Sequence, residues 1–228
     1  MQPYLFPYIG YYQLVSAVDK FVIFDDVNFI NKGWINRNRI LVNGEGHLFT
    51  MPVSRSSQNK LINEIELTDD YSKWKEKFLK TLKNSYSKAP YFNTIYSMLT
   101  PLMDSSGKNL SEILRHILYR TVDYLQIETE MIHTSSVYDN ANLKGQDRIL
   151  DICKKENASE YLNPIGGKLL YNKEKFLKEN INLYFLESGN IEYKQFSSKF
   201  VSNLSIIDIM MFNSPDEIKT HLVNYSLI

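Results

Sequence analysis

Residues 1–12, MQPYLFPYIGYY, constrain this chain more than any other stretch. Pro3 and Pro7 fix φ and lack an N–H, so neither sits inside a helix. Gly10 alone can take positive φ cheaply or let another group approach the backbone. The run therefore reads as a stiff, irregular loop. Tyr11, Leu14, Val15 and Val18 then fall at helical spacing. Residues 21–26, FVIFDD, follow as an apolar strand that ends in two carboxylates. Loop, helix and strand with acids at its carboxyl end make half of an α/β nucleotide-binding unit, in which ligands sit just beyond the strand ends. In a parallel unit a loop that enters a helix normally leaves a strand. Residue 1 is already in the loop, so the expectation is a first strand that lies upstream or is missing.

The totals narrow the class. Lys and Arg number 26 and Asp and Glu number 26, so the formal charge is zero. That argues against a broad electrostatic grip on nucleic acid, though a single anionic metabolite still fits. No apolar run reaches the ~20 residues that span a bilayer, and the front lacks the pattern of a signal peptide. The lone Cys153 has no partner for an internal disulfide, which fits a reducing, cytoplasmic setting.

Along the rest of the chain, apolar runs on either side of NGEG at 43–46 predict a β-hairpin over about 39–53. Residues 55–63 read as a polar loop, and Ile65 and Leu67 as a short strand. Three amphipathic patterns over about 71–125 predict a helical insertion, with a turn at 105–107. Alternation of strand and helix then returns: strands near 127–132, 160–163 and 182–186, helices near 148–156 and 168–177, and two closing helices at 205–212 and 215–223. The rhythm predicts one α/β domain over residues 1–228, with a mostly parallel, Rossmann-like sheet and helices on both faces.

Several residues could carry chemistry. Asp25 or Asp26 could act as general base or orient a substrate, but neighbours on a strand point to opposite faces, so at most one is expected to face a crevice. The other reading is that these acids end the strand or cap a turn. Lys32, Trp34, Arg37, Asn38 and Arg39 follow directly. Guanidinium forks suit phosphate, and an indole stacks on a base or sugar. A solvated hairpin entry with an anchoring tryptophan is the plainer reading. Gly166, Gly167 and Lys168 could cradle an anion ahead of a helix, although the spacing of a Walker A loop is absent. His133 sits just past a strand, a good address for an acid–base group, though a lone histidine is more often a surface residue. The four histidines and Cys153 show no metal-ligand spacing. Cys153 shares a helix face with Ile149 and Ile152 and reads as buried and inert. Ser205 and Asp208 resemble an N-cap with an acid at N3.

Taken together, MQPYLFPYIGYYQL, FVIFDDVNF, KGWINRNRI, LKGQDRILDIC, YLNPIGGKLLY and LSIIDIMMFN resemble the WbqC-like family nearly end to end. The resemblance implies a place among bacterial O-antigen and surface-polysaccharide functions, and an activity on nucleotide-linked amino sugars by acyl or aminoacyl transfer. On that footing Gln2, Tyr4, Tyr8, Gly10 and Trp34 would line a sugar pocket. Lys32, Arg37 and Arg39 would hold the diphosphate, and Asp25 or Asp26 with His133 would deprotonate the accepting amine. The partners would be a nucleotide sugar and an acyl or aminoacyl carrier protein; the sequence names no cofactor. The order of loop, helix, strand and Asp is also similar to the first unit of nucleotidyltransferases and pantothenate-synthetase-like amide ligases, which implies an ATP-dependent ligase. Their paired histidines are replaced here by Pro7-Tyr8-Ile9-Gly10-Tyr11. A non-catalytic sugar-nucleotide-binding protein is the third reading.

Overall fold

The computed structural model describes residues 1–54, 60–104, 107–197 and 199–228. It is a mixed α/β protein. Pro7 ends the opening loop, and α1 (Ile9–Ser16) starts two residues later, burying Tyr11, Tyr12, Leu14 and Val15. β1 (Lys20–Val22) follows, then the antiparallel pair β2 (Arg37–Val42) and β3 (Glu45–Thr50). Asn43 and Gly44 take φ of 53° and 81° at the tip. That two-residue turn with both φ positive matches the right-handed twist of the flanking strands, so the expected hairpin is present.

The helical insertion is α2 (Tyr71–Tyr86), α3 (Phe92–Leu102) and α4 (Leu110–Tyr124). Each buries one apolar stripe: Phe78 and Leu82, then Ile95 and Leu99, then Ile113, Leu114, Ile117 and Leu118. After it come β4 (Glu130–Ile132), α5 (Gly145–Lys155), β5 (Glu160–Pro164), α6 (Lys173–Lys178) and β6 (Asn182–Ser188). α7 (Ile206–Phe212), α8 (Pro215–Leu222) and β7 (Tyr225–Leu227) close the chain.

The strands form three small sheets: β1 with β4 in parallel, the β2–β3 hairpin, and β5–β6–β7, in which β5 and β6 are parallel and β7 is antiparallel. The expected continuous, mostly parallel sheet does not form among the described residues; parallel pairing is limited to β1–β4 and β5–β6. On its side away from β4, β1 is met by Met1. The Met1 nitrogen donates to Val22 O at 2.7 Å, and Phe24 N donates to Met1 O at 2.8 Å. The core divides in the same way. A large apolar cluster joins α1, β1, the hairpin, the insertion and α7–α8; a smaller one holds Leu150, Cys153, Phe176, Ile181, Leu183 and Phe185.

Four local expectations need amendment. Residues 55–59 of the polar loop and 105–106 of the turn lie outside the described residues; residues Ile62–Glu64 form a 3-10 turn. Ile65 and Leu67 make no strand; only the isolated bridges Val53 to Leu67 and Glu66 to Asn109 form there. The short edge strand β7 was not expected. Ser205 does not cap α7 with its side chain: Asp208 N donates to the Ser205 carbonyl at 3.0 Å, and the Asp208 carboxylate is taken by Tyr86, Tyr193 and Gln195.

Candidate functional site

The residues singled out above fall into three groups. The first is the acid pair. Asp25 is 1% exposed and Asp26 9%. The strand expected over 21–26 ends at Val22, so both aspartates lie in the segment after it; Asp25 turns towards α4 and Asp26 towards α5. Asp25 accepts from Ser111 Oγ at 2.5 Å and from Thr134 Oγ1 at 2.6 Å. Asp26 accepts from Ser135 Oγ, and pairs with Arg148 Nη2 at 2.5 Å. Arg148 also donates to the Asp26 carbonyl at 3.2 Å and through Nε to Asn140 Oδ1 at 2.9 Å; Asn140 in turn donates to Asp151 at 2.7 Å. Buried charge is tolerated only when it is paired and hydrogen-bonded like this. Each carboxylate accepts two side-chain hydrogen bonds, one on each oxygen.

Sequence reasoning missed Arg148, Ser111, Thr134, Ser135 and Asn140. Arg148 left a faint signal: it stands four residues before Ile152, on the inward side of α5. His133, expected to work with the acids, is exposed; its carbonyl accepts from Arg115 Nη1 at 3.1 Å.

The second group is an indole between two cations. Trp34 is 44% exposed. The guanidinium carbons of Arg37 and Arg39 lie 5.7 Å and 6.0 Å from its ring centroid, within cation–π range. Arg37 is braced by the carbonyls of Gly33, at 2.9 Å, and Lys32, whereas Arg39 and Lys32 are exposed. Asn38 faces inward instead. Its Nδ2 donates to Leu5 O at 3.1 Å and Phe6 O at 2.7 Å, and its Oδ1 accepts from Arg39 N at 2.8 Å. It thereby clamps the opening loop, where Phe6 is held at φ 45°, a strained setting for a bulky residue.

The third group lines an open cavity of about 780 Å³ between β1 and β5. Gln2, Tyr4, Gly166 and Gly167 are on its wall with Phe24 and Asn163. Burial pushes the Tyr4 phenol up, with Tyr8 beside it adding to the effect, so it stays a neutral donor. The Tyr8 ring lies over Gly10: a Cβ there would sit 2.4 Å from it. Gly167 is pressed by Asn163, whose Oδ1 would be 2.0 Å from an added Cβ. The glycines and Lys168 belong to a 3-10 turn, Ile165–Leu170, rather than to an open loop leading directly into a helix.

Phe24 links the first and third groups, with Arg148 4.8 Å above its ring and its own place on the cavity wall. Among the described residues no hydrogen bond, ion pair or ring contact joins the Trp34 group to the acid pair.

This is a mixed α/β protein with a buried acid–arginine network at the end of a parallel strand and an exposed cation–indole cluster after it. The chain belongs to the WbqC-like protein family, whose model matches residues 2–220. It is 29% identical over 219 residues to a protein of Mycobacterium tuberculosis described as uncharacterized protein Rv1507c, which covers 95% of this chain and 93% of that one. No solved structure gives a significant match. No helix among the described residues is long and apolar enough to cross a membrane.

Proposed function

We propose that this protein is a cytoplasmic transferase that binds a nucleotide-linked amino sugar and acylates or aminoacylates its amine, in the assembly of O-antigen or other surface polysaccharide. One observation carries the reading: the exposed Trp34 ring with Arg37 and Arg39 within 6.0 Å of its centroid. An indole face suits a nucleobase, and guanidinium forks with Lys32 suit a diphosphate. The reading takes β1–β4 and β5–β6 as parts of one Rossmann-like sheet in a single domain, with the ligand at the carboxyl ends of its strands.

In the transfer, the sugar amine attacks the acyl carbon of an activated donor. The bond from that carbon to its leaving group, a carrier thiol or an ATP-derived phosphate, breaks. The proton lost by the amine goes to a base and on to the leaving group. Exposed His133, next in sequence to Thr134 of the Asp25 network, is the candidate base. A second reading, a sugar-nucleotide-binding protein without turnover, is favoured by the burial of Asp25 and Asp26 among hydroxyl and guanidinium donors.

Calorimetric titration of a panel of nucleotide-linked amino sugars against the wild type, Trp34→Ala and Arg39→Gln tests the platform. Each variant should bind at least about tenfold more weakly, a difference of about 1.4 kcal/mol. Equal affinity in both variants removes the platform from the site. Binding without acyl transfer from any donor selects the second reading.

A further inference from the structure

The 3-10 turn after β5 and the helix α6 leave two leucines in water. Gly167 and Tyr171 face inward: Gly167 is buried against Asn163, and the Tyr171 ring lies 5.7 Å from that of Tyr161. Leu169 stands between them in sequence and is thrown outward, 99% exposed. On α6, Phe176 is fully buried and stacks on Tyr161, with ring centroids 5.4 Å apart. Successive residues of a helix are turned by about 100°, so Leu177 leaves the core and is 64% exposed. Asn172 caps the helix, its side chain accepting from Lys175 N at 3.2 Å. Both leucines are thus held out by neighbours that are themselves fixed. Leu170 is on the wall of the cavity between β1 and β5; Leu169 and Leu177 are not.

The same stretch is basic. Residues 168–178 hold Lys168, Lys173, Lys175 and Lys178 against Glu174 alone, in a chain whose charges balance overall. Lys175 lies 4.0 Å from Asp147. The other three lysines are exposed, and among the described residues no acid stands within ion-pair reach of them. Leucine with lysine is a poor composition for a protein–protein interface, whose centre gathers aromatic residues, Met and Arg and sheds Lys. It suits a surface that meets lipid, where aliphatic side chains enter the acyl boundary and lysine heads stay with anionic headgroups. A fluid acyl layer also closes around a protruding leucine without a complementary groove.

We propose that residues 168–178 dock the protein on the surface of a membrane rich in anionic lipid. Leu169 and Leu177 enter the boundary between headgroups and acyl chains, and Lys168, Lys173 and Lys178 lie among the lipid phosphates. The attachment is peripheral and reversible, since two leucines and three lysines hold far less than a spanning helix. It turns the carboxyl end of β5, with Gly166 and Gly167, towards the lipid. The inference goes beyond the transfer reading and does not depend on it.

The test sediments the full chain with vesicles of phosphatidylcholine alone and of equal parts phosphatidylcholine and phosphatidylglycerol. The wild type should sediment with the mixed vesicles, not with the neutral ones, and come off as salt is raised. Leu169→Ser combined with Leu177→Ser, and separately Lys173→Gln combined with Lys178→Gln, should each partition about tenfold less. All four side chains are exposed, so the melting temperature of either pair should match the wild type. No binding of the wild type to the mixed vesicles, or equal binding by both variant pairs, overturns the proposal. Equal binding to neutral and mixed vesicles overturns its electrostatic half. A wild-type dimer that the leucine pair abolishes, with no vesicle binding, overturns it in favour of a contact between two copies of the chain.

Discussion

At the residue scale, Asp26 and Arg148 show how tightly the strand end is held. Their side chains are 9% and 5% exposed and 2.5 Å apart. Desolvation consumes much of the attraction in such a pair, yet losing one partner strands the other charge inside. Arg148→Met should therefore destabilise the fold by about 3–5 kcal/mol in urea melts. Adding Asp26→Asn removes the stranded carboxylate, so the double variant should recover much of that loss. Strictly additive losses would mean that the two side chains do not depend on each other. Gly10 poses a gentler problem. A Cβ there meets the Tyr8 ring, the far end of a 42% exposed side chain, which can swing away without disturbing the core.

At the scale of elements, the opening loop owes its shape to the start of the hairpin. Asn38 on β2 spends both amide hydrogens on Leu5 and Phe6, and Ile206 N donates to Pro7 O at 3.0 Å. Asn38→Ala leaves two buried carbonyls without that donor, at about 1–3 kcal/mol for an unsatisfied group. The expected result is a loss of about 2 kcal/mol in urea melts, with faster proteolysis within residues 1–8. A stable variant with an uncut front would show that the prolines alone hold the loop. Periodicity made the helices legible, because each long one buries a single stripe, and the Asn-Gly pair made the hairpin legible. Sheet order was not legible, because a short strand such as β1 or β4 records nothing of its neighbours. Among the site residues, the cation–indole cluster could be read from adjacency in 32–39. The partners of the acids could not: Ser111 and Arg148 lie 86 and 122 residues from them, and no local pattern marks a pairing of that span. Asn38 reads as part of that cluster for the same reason, since its loop partners are more than thirty residues away.

On the scale of the whole molecule, one buried carboxylate ties together parts that the sequence keeps far apart. Asp208 of α7 is fully buried and accepts from Tyr86 of α2 at 2.7 Å, Tyr193 at 2.6 Å and Gln195 at 2.7 Å. Tyr86 in turn accepts from Leu41 N of β2 at 2.7 Å, so hairpin, insertion and carboxyl-terminal helices meet on one group. Burial raises the Asp208 pKa above its ordinary 3.8, and the three donors only partly oppose that. Between 3.8 and the raised value the folded state keeps a proton that the unfolded chain has lost. The stability this group contributes is therefore complete below 3.8 and is lost as pH rises through the folded value. Exposed acids such as Asp69, held low by Lys108, act in the opposite sense, losing their contribution on acidification. They are common to wild type and variant, so they cancel in a difference. Asp208→Asn stays neutral at every pH and should be less stable than the wild type, because one acceptor becomes a donor facing donors. That deficit should be largest near pH 4 and shrink towards pH 8, as the wild type alone comes to hold a buried charge. Urea melts of both proteins across that range measure the difference. A deficit that stays constant or grows with pH would mean that Asp208 is already ionised in the fold at pH 4, with its three donors outweighing its burial.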